Sequence, residues 1–599
     1  MILQALCGYY NRLLKAGESI ALPGCARVGV SSCIVIDING NVISVRTLKQ
    51  TQDKKLVPTP FIVPEPPKRS GKKPEPAFLC ENPGFIFGIH HDKSGEYDKE
   101  GAQYRFDASA CKHAEILGGL DDEGAQALLR FFDKRNMGSY AVDGVDTSPL
   151  DEGGNVIFQL QGDSDFIHNR PTIKRAWEQY RKKQSAKADI GQCLVTGELL
   201  PIARLHSSIG GFGQDKPTLV GFNQKSFESY GKKQGLNAPV SEAAAFQYTT
   251  ALSSLMKDRL HHIRLHGDTV VFWAEDAMPI EESLAAVFLS SEARVDDIGL
   301  DEVSTEKIRG ILATLYKGKL PVDSELNLDA RFYLLGMTNN KTRLVIRFFH
   351  VASFGNLLER VRQHYEDVVV VGDHNVPSIY RILLETAVRR DSDNVAPSLE
   401  RALMQSILFG TNYPYSLYQA MLRRIRAEGG QDPKKLKGYP INPVRVGILK
   451  GYLNRKNRID NRKERMTMAL NPDERDKGYL LGRLFAVLEK AQKDALGNVN
   501  ASIVDKYLNS ALATPQMVFP MLLTLSKKHN AKSGNFYNDK LTGEIVNQLP
   551  SSGFPINLNP EEQGRFIIGY YHQNVSLTPQ ERIGQRMLCP QTPTRNNPN

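Results

Sequence analysis

No apolar run in this sequence reaches about 18 residues, so a membrane-crossing helix is excluded. The seven cysteines, at 7, 25, 33, 80, 111, 193 and 589, contain no CxxC pair and are odd in number. A disulfide scaffold or zinc ribbon is therefore not expected, and a reducing cytoplasm fits. The apolar start, Met1–Tyr10, has no basic leader and is broken by Tyr9, Tyr10, Asn11 and Arg12, against a secretory signal. No GxSxG elbow occurs. Gly210-Gly-Phe-Gly213 lacks the Lys-Ser/Thr that ends a phosphate loop. His262 and His266 are spaced for one helix face, but no Glu supports them and Arg264 would repel a cation. The His91-Asp92 doublet has no spaced histidine partners, and Cys193 has no identifiable His partner. Nothing here argues for an enzyme, and neither a metal nor a cofactor is expected.

What is present is charge, unevenly placed. The 599 residues carry 76 Lys+Arg, 66 Asp+Glu and a net charge of +10. At roughly 100–200 residues per domain this length makes about three to five domains. Residues 423–465 hold 14 basic and 4 acidic residues, an excess equal to the whole net charge. Two further basic stretches lie at 46–73 and 170–187, and an acidic one at 275–306. A polyanion track with a separate face that avoids nucleic acid accounts for this pattern; solvated helix faces are the ordinary alternative. Arg343 and Arg347 share one face of a period-two run and offer further phosphate contacts.

Periodicity predicts an α+β chain: a mixed α/β N-terminal and central body with β-hairpins, then an α-helical C-terminal bundle. Leu3, Leu6, Tyr10, Leu13 and Leu14 fit an opening helix. Cys33–Ile38, Asn39-Gly40 and Asn41–Arg46 read as a hairpin. Seven prolines between 57 and 76 predict an extended arm or loop centred on Lys68-Arg-Ser-Gly-Lys-Lys73. Arg331–Leu335 and Arg343–Phe349 read as a second hairpin, and 170–187 as a basic helix. Asn471-Pro-Asp-Glu474, Asn559-Pro-Glu-Glu562 and Thr578-Pro-Gln-Glu581 read as capped helix starts. The expected divisions are 1–165, an N-terminal region with the basic arm; 166–375, a central body; 376–465, a basic helical connector; 466–590, a helical bundle; and 591–599, a disordered tail.

Several long blocks resemble one family. Cys193-Leu-Val-Thr-Gly-Glu198, Ile202-Ala-Arg-Leu-His206, Val220–Gly231, Val271-Phe-Trp-Ala-Glu275, Tyr479–Glu489 and Gln563–Gln573 are similar to blocks of the large subunit of the type I-C CRISPR Cascade surveillance complex. In the arm, Glu75-Pro76-Ala77 departs from the Pro-Asn-Phe-Leu pattern expected before Phe78. The resemblance implies a non-enzymatic role. Such a subunit finds the motif flanking a DNA target (the PAM), helps open the duplex into an R-loop and holds the displaced strand. It also docks a helicase-nuclease that acts in trans. Its implied partners are CRISPR guide RNA, double-stranded target DNA, the Cascade backbone and guide-processing subunits, and a small subunit made from its own C-terminal region. Guide pairing reads sequence, and the protein reads the flanking motif and holds backbones.

On that basis Lys68, Arg69, Ser70, Lys72, Lys73 and Asn82 are the candidate motif readers. Arg170, Lys174, Arg175, Arg343, Arg347, Arg455, Lys456, Arg458 and Arg462 are candidate backbone contacts, with Tyr439 and Tyr452 beside the last four. Met466 or Met468 is the candidate start of the small subunit. The alternatives are a metal-dependent nuclease using His91 and Asp92, or a general single-strand-binding scaffold.

Overall fold

The computed structural model describes residues 1–578 except 19, 53–54, 68, 70–72, 92–94, 135–137, 140, 152, 186–188, 223, 266–267, 277, 290–300, 317–318, 322–325, 373–376, 430–437 and 498–500. The predicted tail and the cap at Thr578 therefore fall largely outside the described residues. The architecture is α+β, with small sheets and a helical C-terminal region. The chain forms two compact units. One comprises Met1–Lys257 with Asn340–Leu344; the other comprises Asp258–Asn339 and the chain from Val345 on.

The first unit is organised on one long strand, Cys25–Ile36. Its first half pairs antiparallel with Thr59–Pro64 and its second half with Val42–Thr47. Its other edge runs parallel to Asn155–Leu160, which pairs in turn with Cys80–Glu81. The predicted Asn-Gly hairpin is present, with Ile34 opposite Val45. Gly40 turns there at φ +82°, and a Cβ at that position would strike the backbone of Phe131; only glycine meets both demands. The Pro-rich arm is more regular than expected. Six of its residues form the strand Thr59–Pro64, with Pro60 opposite Gly29. Proline is tolerated because this is an outer strand, whose missing N–H groups point away from the ladder. Helix Glu123–Lys134 buries Leu128, Phe131 and Phe132 in the core beside the sheet.

In the second unit the sheet order is His262–Leu265, Asp268–Ala274, Arg331–Asn340, Arg343–Ser353. The second hairpin is thus as predicted. His262 lies on a strand, so the helical spacing inferred for it and His266 does not apply; His266 itself is outside the described residues. Trp273 and Tyr333 stack as a cross-strand pair 5.2 Å apart. The acidic stretch is not simply a solvated face: Glu281 and Glu282 are buried, accepting from the backbones of Asn327 (3.0 Å) and Ala274 (2.9 Å).

Beyond the sheet the chain is helical, and one hydrophobic core runs from Val368 to Val575 without a break at 465. At its centre helix Lys477–Leu496 lies against Pro560–Ser576. A Cβ on Gly482 would strike the Phe566 carbonyl, and one on Gly569 the Tyr479 carbonyl, so glycine is what lets the two backbones touch. The cap at Asn559 forms in full, with Asn559 and Glu562 each bonded to the other's backbone. The cap predicted at Asn471 is instead a turn, Asn471 accepting from the Asp473 N–H, and the helix starts at Lys477 under Asp476. Among the described residues no helix is long and apolar enough to cross a membrane.

Candidate nucleic-acid interface

The basic arm is fastened to the folded unit at both ends. Before it, Thr59–Pro64 is in the sheet; after it, Cys80–Glu81 is. Glu81 is 2% exposed and organises the join. Its carboxylate accepts from the backbones of Ala77 and Asn82, each at 2.7 Å, and pairs with the Arg69 guanidinium. Arg69 also donates to the Glu75 carbonyl (3.0 Å) and lies 4.3 Å over the Phe85 ring. Lys112 holds Glu75 at 2.6 Å and the Pro76 carbonyl at 2.9 Å. Lys73 is exposed and 5.7 Å from the Tyr104 ring. Asn82 is half-buried at the start of a short helix, Pro83–Ile86, without a side-chain cap bond. Lys68, Ser70 and Lys72 lie outside the described residues.

Just behind the join, Leu79 adopts φ +60°, a conformation strained for a non-glycine residue. Its N–H donates to His113 Nε2 (3.1 Å), while His113 Nδ1 donates to the Ser109 carbonyl (2.7 Å). These two bonds fix a neutral imidazole, and burial pushes its pKa down to about 4.

The second basic stretch forms helix Pro171–Ser185. Arg170 precedes it and is engaged, its Nε 2.9 Å from Asp122 and its Nη1 2.5 Å from Asp163. Lys174, Arg175, Lys182 and Lys183 are exposed. On the second hairpin, Arg343 lies 4.3 Å over the Phe227 ring. Arg347, in the other unit, is 2.6 Å from the Thr338 hydroxyl and 3.7 Å from Asp268.

The stretch 423–465 requires the largest correction. Its helix Pro443–Ile459 is interior. Arg455 is fully buried, 3.2 Å from Asp367, and donates to the Ser406 carbonyl at 3.0 Å. Arg458 closes on the same Asp367 through two bonds of 2.8 and 2.7 Å. Arg445, also fully buried, is held by Glu385 (2.9 Å) and Glu428 (2.6 Å). Lys456 pairs with Glu561. Tyr452 is buried, its ring 4.5 Å from that of Tyr418 and tilted 34° to it, whereas Tyr439 is half exposed. Arg455, Arg458 and Lys456 all meet acids from distant parts of the chain; Arg455 is buried and cannot wall an open groove, whereas Arg458 is exposed and Lys456 half-buried beside their acids. Arg423, Arg426, Arg462 and Lys463 remain exposed, Arg462 with Asp460 at 3.7 Å. Lys434, Lys435 and Lys437 lie outside the described residues.

For the nuclease alternative, His91 bridges to Tyr97, and Asp92 is outside the described residues. Among the described residues no group of three or more His, Cys, Asp or Glu stands together as metal ligands. Cys193 is buried, its sulfur accepting from the backbones of Ser241 (3.2 Å) and Val195 (3.4 Å). Burial raises its thiol pKa, but hydrogen bonds from Ser241 and Thr196 outweigh it and bring the value down to about 7.

Compared with known protein families, residues 6–578 match CRISPR-associated protein (Cas_Csd1). The chain belongs to this family. A large-subunit role in a type I-C CRISPR Cascade complex follows from that membership. Comparison with curated proteins returns no match. Within the matched residues, Tyr479–Glu489 and Gln563–Gln573 belong to the two helices that meet through glycine.

Within the family frame the two internal methionines sit differently. Met466 is buried, its N–H donating to the Asn454 side chain at 2.7 Å. Met468 is half exposed, its carbonyl accepting from Val371 at 2.9 Å. Sequence reading missed Glu81, Glu75, Lys112 and Asp367, which position the named cations. Nothing in the sequence around any of them marks its partner.

Proposed function

We propose that this chain reads the PAM in double-stranded DNA for an RNA-guided surveillance complex, promotes R-loop formation, holds the displaced strand and recruits the helicase-nuclease, without itself catalysing a reaction. The observation that supports this most is the anchoring of the basic arm. Thr59–Pro64 and Cys80–Glu81 are both in the sheet, and Arg69 is paired with Glu81, so the described ends of the arm that carries Lys72 and Lys73 are fixed to the folded unit. A loop tied at both ends loses little entropy on entering a groove, where backbone N–H groups and lysines meet phosphates and base edges. The exposed cations of helix Pro171–Ser185 suit the backbone of the displaced strand. In this reading the small subunit begins at Met466 or Met468.

The test is assembly with the neighbouring subunits and guide RNA, followed by binding to duplexes with and without the flanking motif. Lys72→Ala with Lys73→Ala is expected to reduce motif-dependent binding at least tenfold while guide RNA still co-purifies. Unchanged motif dependence would refute the assignment. Cleavage of DNA by the purified chain with Mg²⁺ or Mn²⁺ would favour the nuclease reading instead.

A further inference from the structure

The first unit contains a cavity of about 400 Å³ between the outer strand Thr59–Pro64 and helix Pro171–Ser185. That volume is within the range of pockets that take small organic ligands. Its walls include Phe61, Ile173 and Trp177, and Arg27 and Lys174, both exposed, line it with Glu178. Trp177 has its polar edge satisfied, Nε1 donating to the Gly24 carbonyl at 2.7 Å.

His168 also lines this cavity, and it is the informative residue. It is 4% exposed, and neither ring nitrogen makes a hydrogen bond of full geometry; only the Ile62 backbone approaches one, which leaves at least one nitrogen unmatched. Phe166 stacks flat on the ring, 5.7 Å away and 4° from parallel, and Phe61 meets Phe166 edge-on. Burial, aided by Lys174, pushes His168 down to about 4, against the pull of Asp165 and of the Ile62 backbone, so the ring is neutral, with one donor and one acceptor. A buried polar atom left unmatched costs stability. Here it faces an aromatic cavity with two cations.

We propose that this cavity receives one unstacked base of a single-stranded DNA segment, His168 bonding the base edge and Arg27 with Lys174 meeting the flanking phosphates. A base is flat, carries donors and acceptors on its edge, and is joined to phosphates; an apolar side chain or a lipid tail offers nothing to the imidazole. Lys182 and Lys183 extend the basic surface along the same helix. The inference rests on the nucleic-acid reading above but not on the motif-reading loop.

The experiment titrates the purified full chain with oligothymidylate and with an abasic deoxyribose-phosphate oligomer of equal length, reading tryptophan emission and anisotropy. The parent is expected to bind oligothymidylate more tightly than the abasic oligomer, with quenching that is lost in Trp177→Phe. His168→Phe, which keeps the stack and removes the polar edge, is expected to weaken oligothymidylate about tenfold and leave the abasic oligomer unchanged. The same variant is expected to melt no lower than the parent, since it removes an unmatched buried group. His168→Gln is the second variant and is expected to recover part of the affinity. Lys174→Glu is expected to weaken both oligomers. Equal binding of the two oligomers by the parent, no binding of either, or unchanged oligothymidylate affinity in both His168 variants would overturn the proposal. Motif-dependent binding of the assembled complex, measured in the same variants, reports separately on the loop.

Discussion

Asp367 is fully buried and is the shared counter-charge of Arg455 and Arg458. Removing one member of a buried pair leaves the other charged and dry, a loss of roughly 3–5 kcal/mol. Asp367→Asn is therefore expected to lower the unfolding free energy by about that amount in urea titration, whereas Arg462→Ala, at an exposed pair, is expected to change it by under about 0.5 kcal/mol. The buried histidines set a second expectation. His113 and His572 are both pushed to about 4 by burial, below the roughly 6.5 of an unfolded histidine. As pH falls from 6.5 toward 4 the unfolded chain takes up protons that the folded one refuses, so stability present above 6.5 is lost across that window. Each such histidine adds about 1.4 kcal/mol per pH unit. Urea midpoints that stay level from pH 7 to pH 5 would contradict this.

Among the elements, the seam between Lys477–Leu496 and Pro560–Ser576 is the most sensitive to added volume. Gly482→Ala places a methyl group against the Phe566 carbonyl and is expected to cost about 1–3 kcal/mol, readable as a lowered melting temperature. Gly543, where a Cβ meets nothing within 4 Å, provides the control and is expected to accept Ala without loss. Elements whose signal is local were legible in the sequence: the Asn39-Gly40 hairpin, the capped start at Asn559 and the basic helix after Arg170. Elements decided by remote pairing were not. Pro60 argues against a strand until Cys25–Val30 supplies an edge beside it. Asn471 carries every mark of a cap, yet its oxygen closes a local turn and the helix waits for Asp476. The candidate arm was legible by composition, but its fastening to Glu81 was not, because one buried carboxylate leaves no pattern.

For the whole molecule, the basic excess at 423–465 is divided: Arg445, Lys450 and Arg455 are buried, whereas Arg423, Arg426, Arg458, Arg462, Lys463 and Arg465 are exposed. Its helix Pro443–Ile459 fills the core between Phe354–Val368 and Pro560–Ser576, with Leu449 and Leu453 buried. A product starting at Met466 leaves that helix behind. Expressed alone, residues 466–599 are expected to bind a hydrophobic dye or to self-associate in light scattering, and to do so less when Pro443–Ile459 is restored. A monomeric fragment that binds no dye would argue against a shared core. The same burial constrains how the sequence drifts. Asp367 and Arg455 stand 88 positions apart, yet neither tolerates loss of charge while the other keeps it. A reversal or neutralisation at one has to be matched at the other, so this pair, and the Arg445 pair with Glu385, is expected to vary jointly, and an alignment of related sequences is expected to show correlated substitutions at these positions rather than a shared basic stretch.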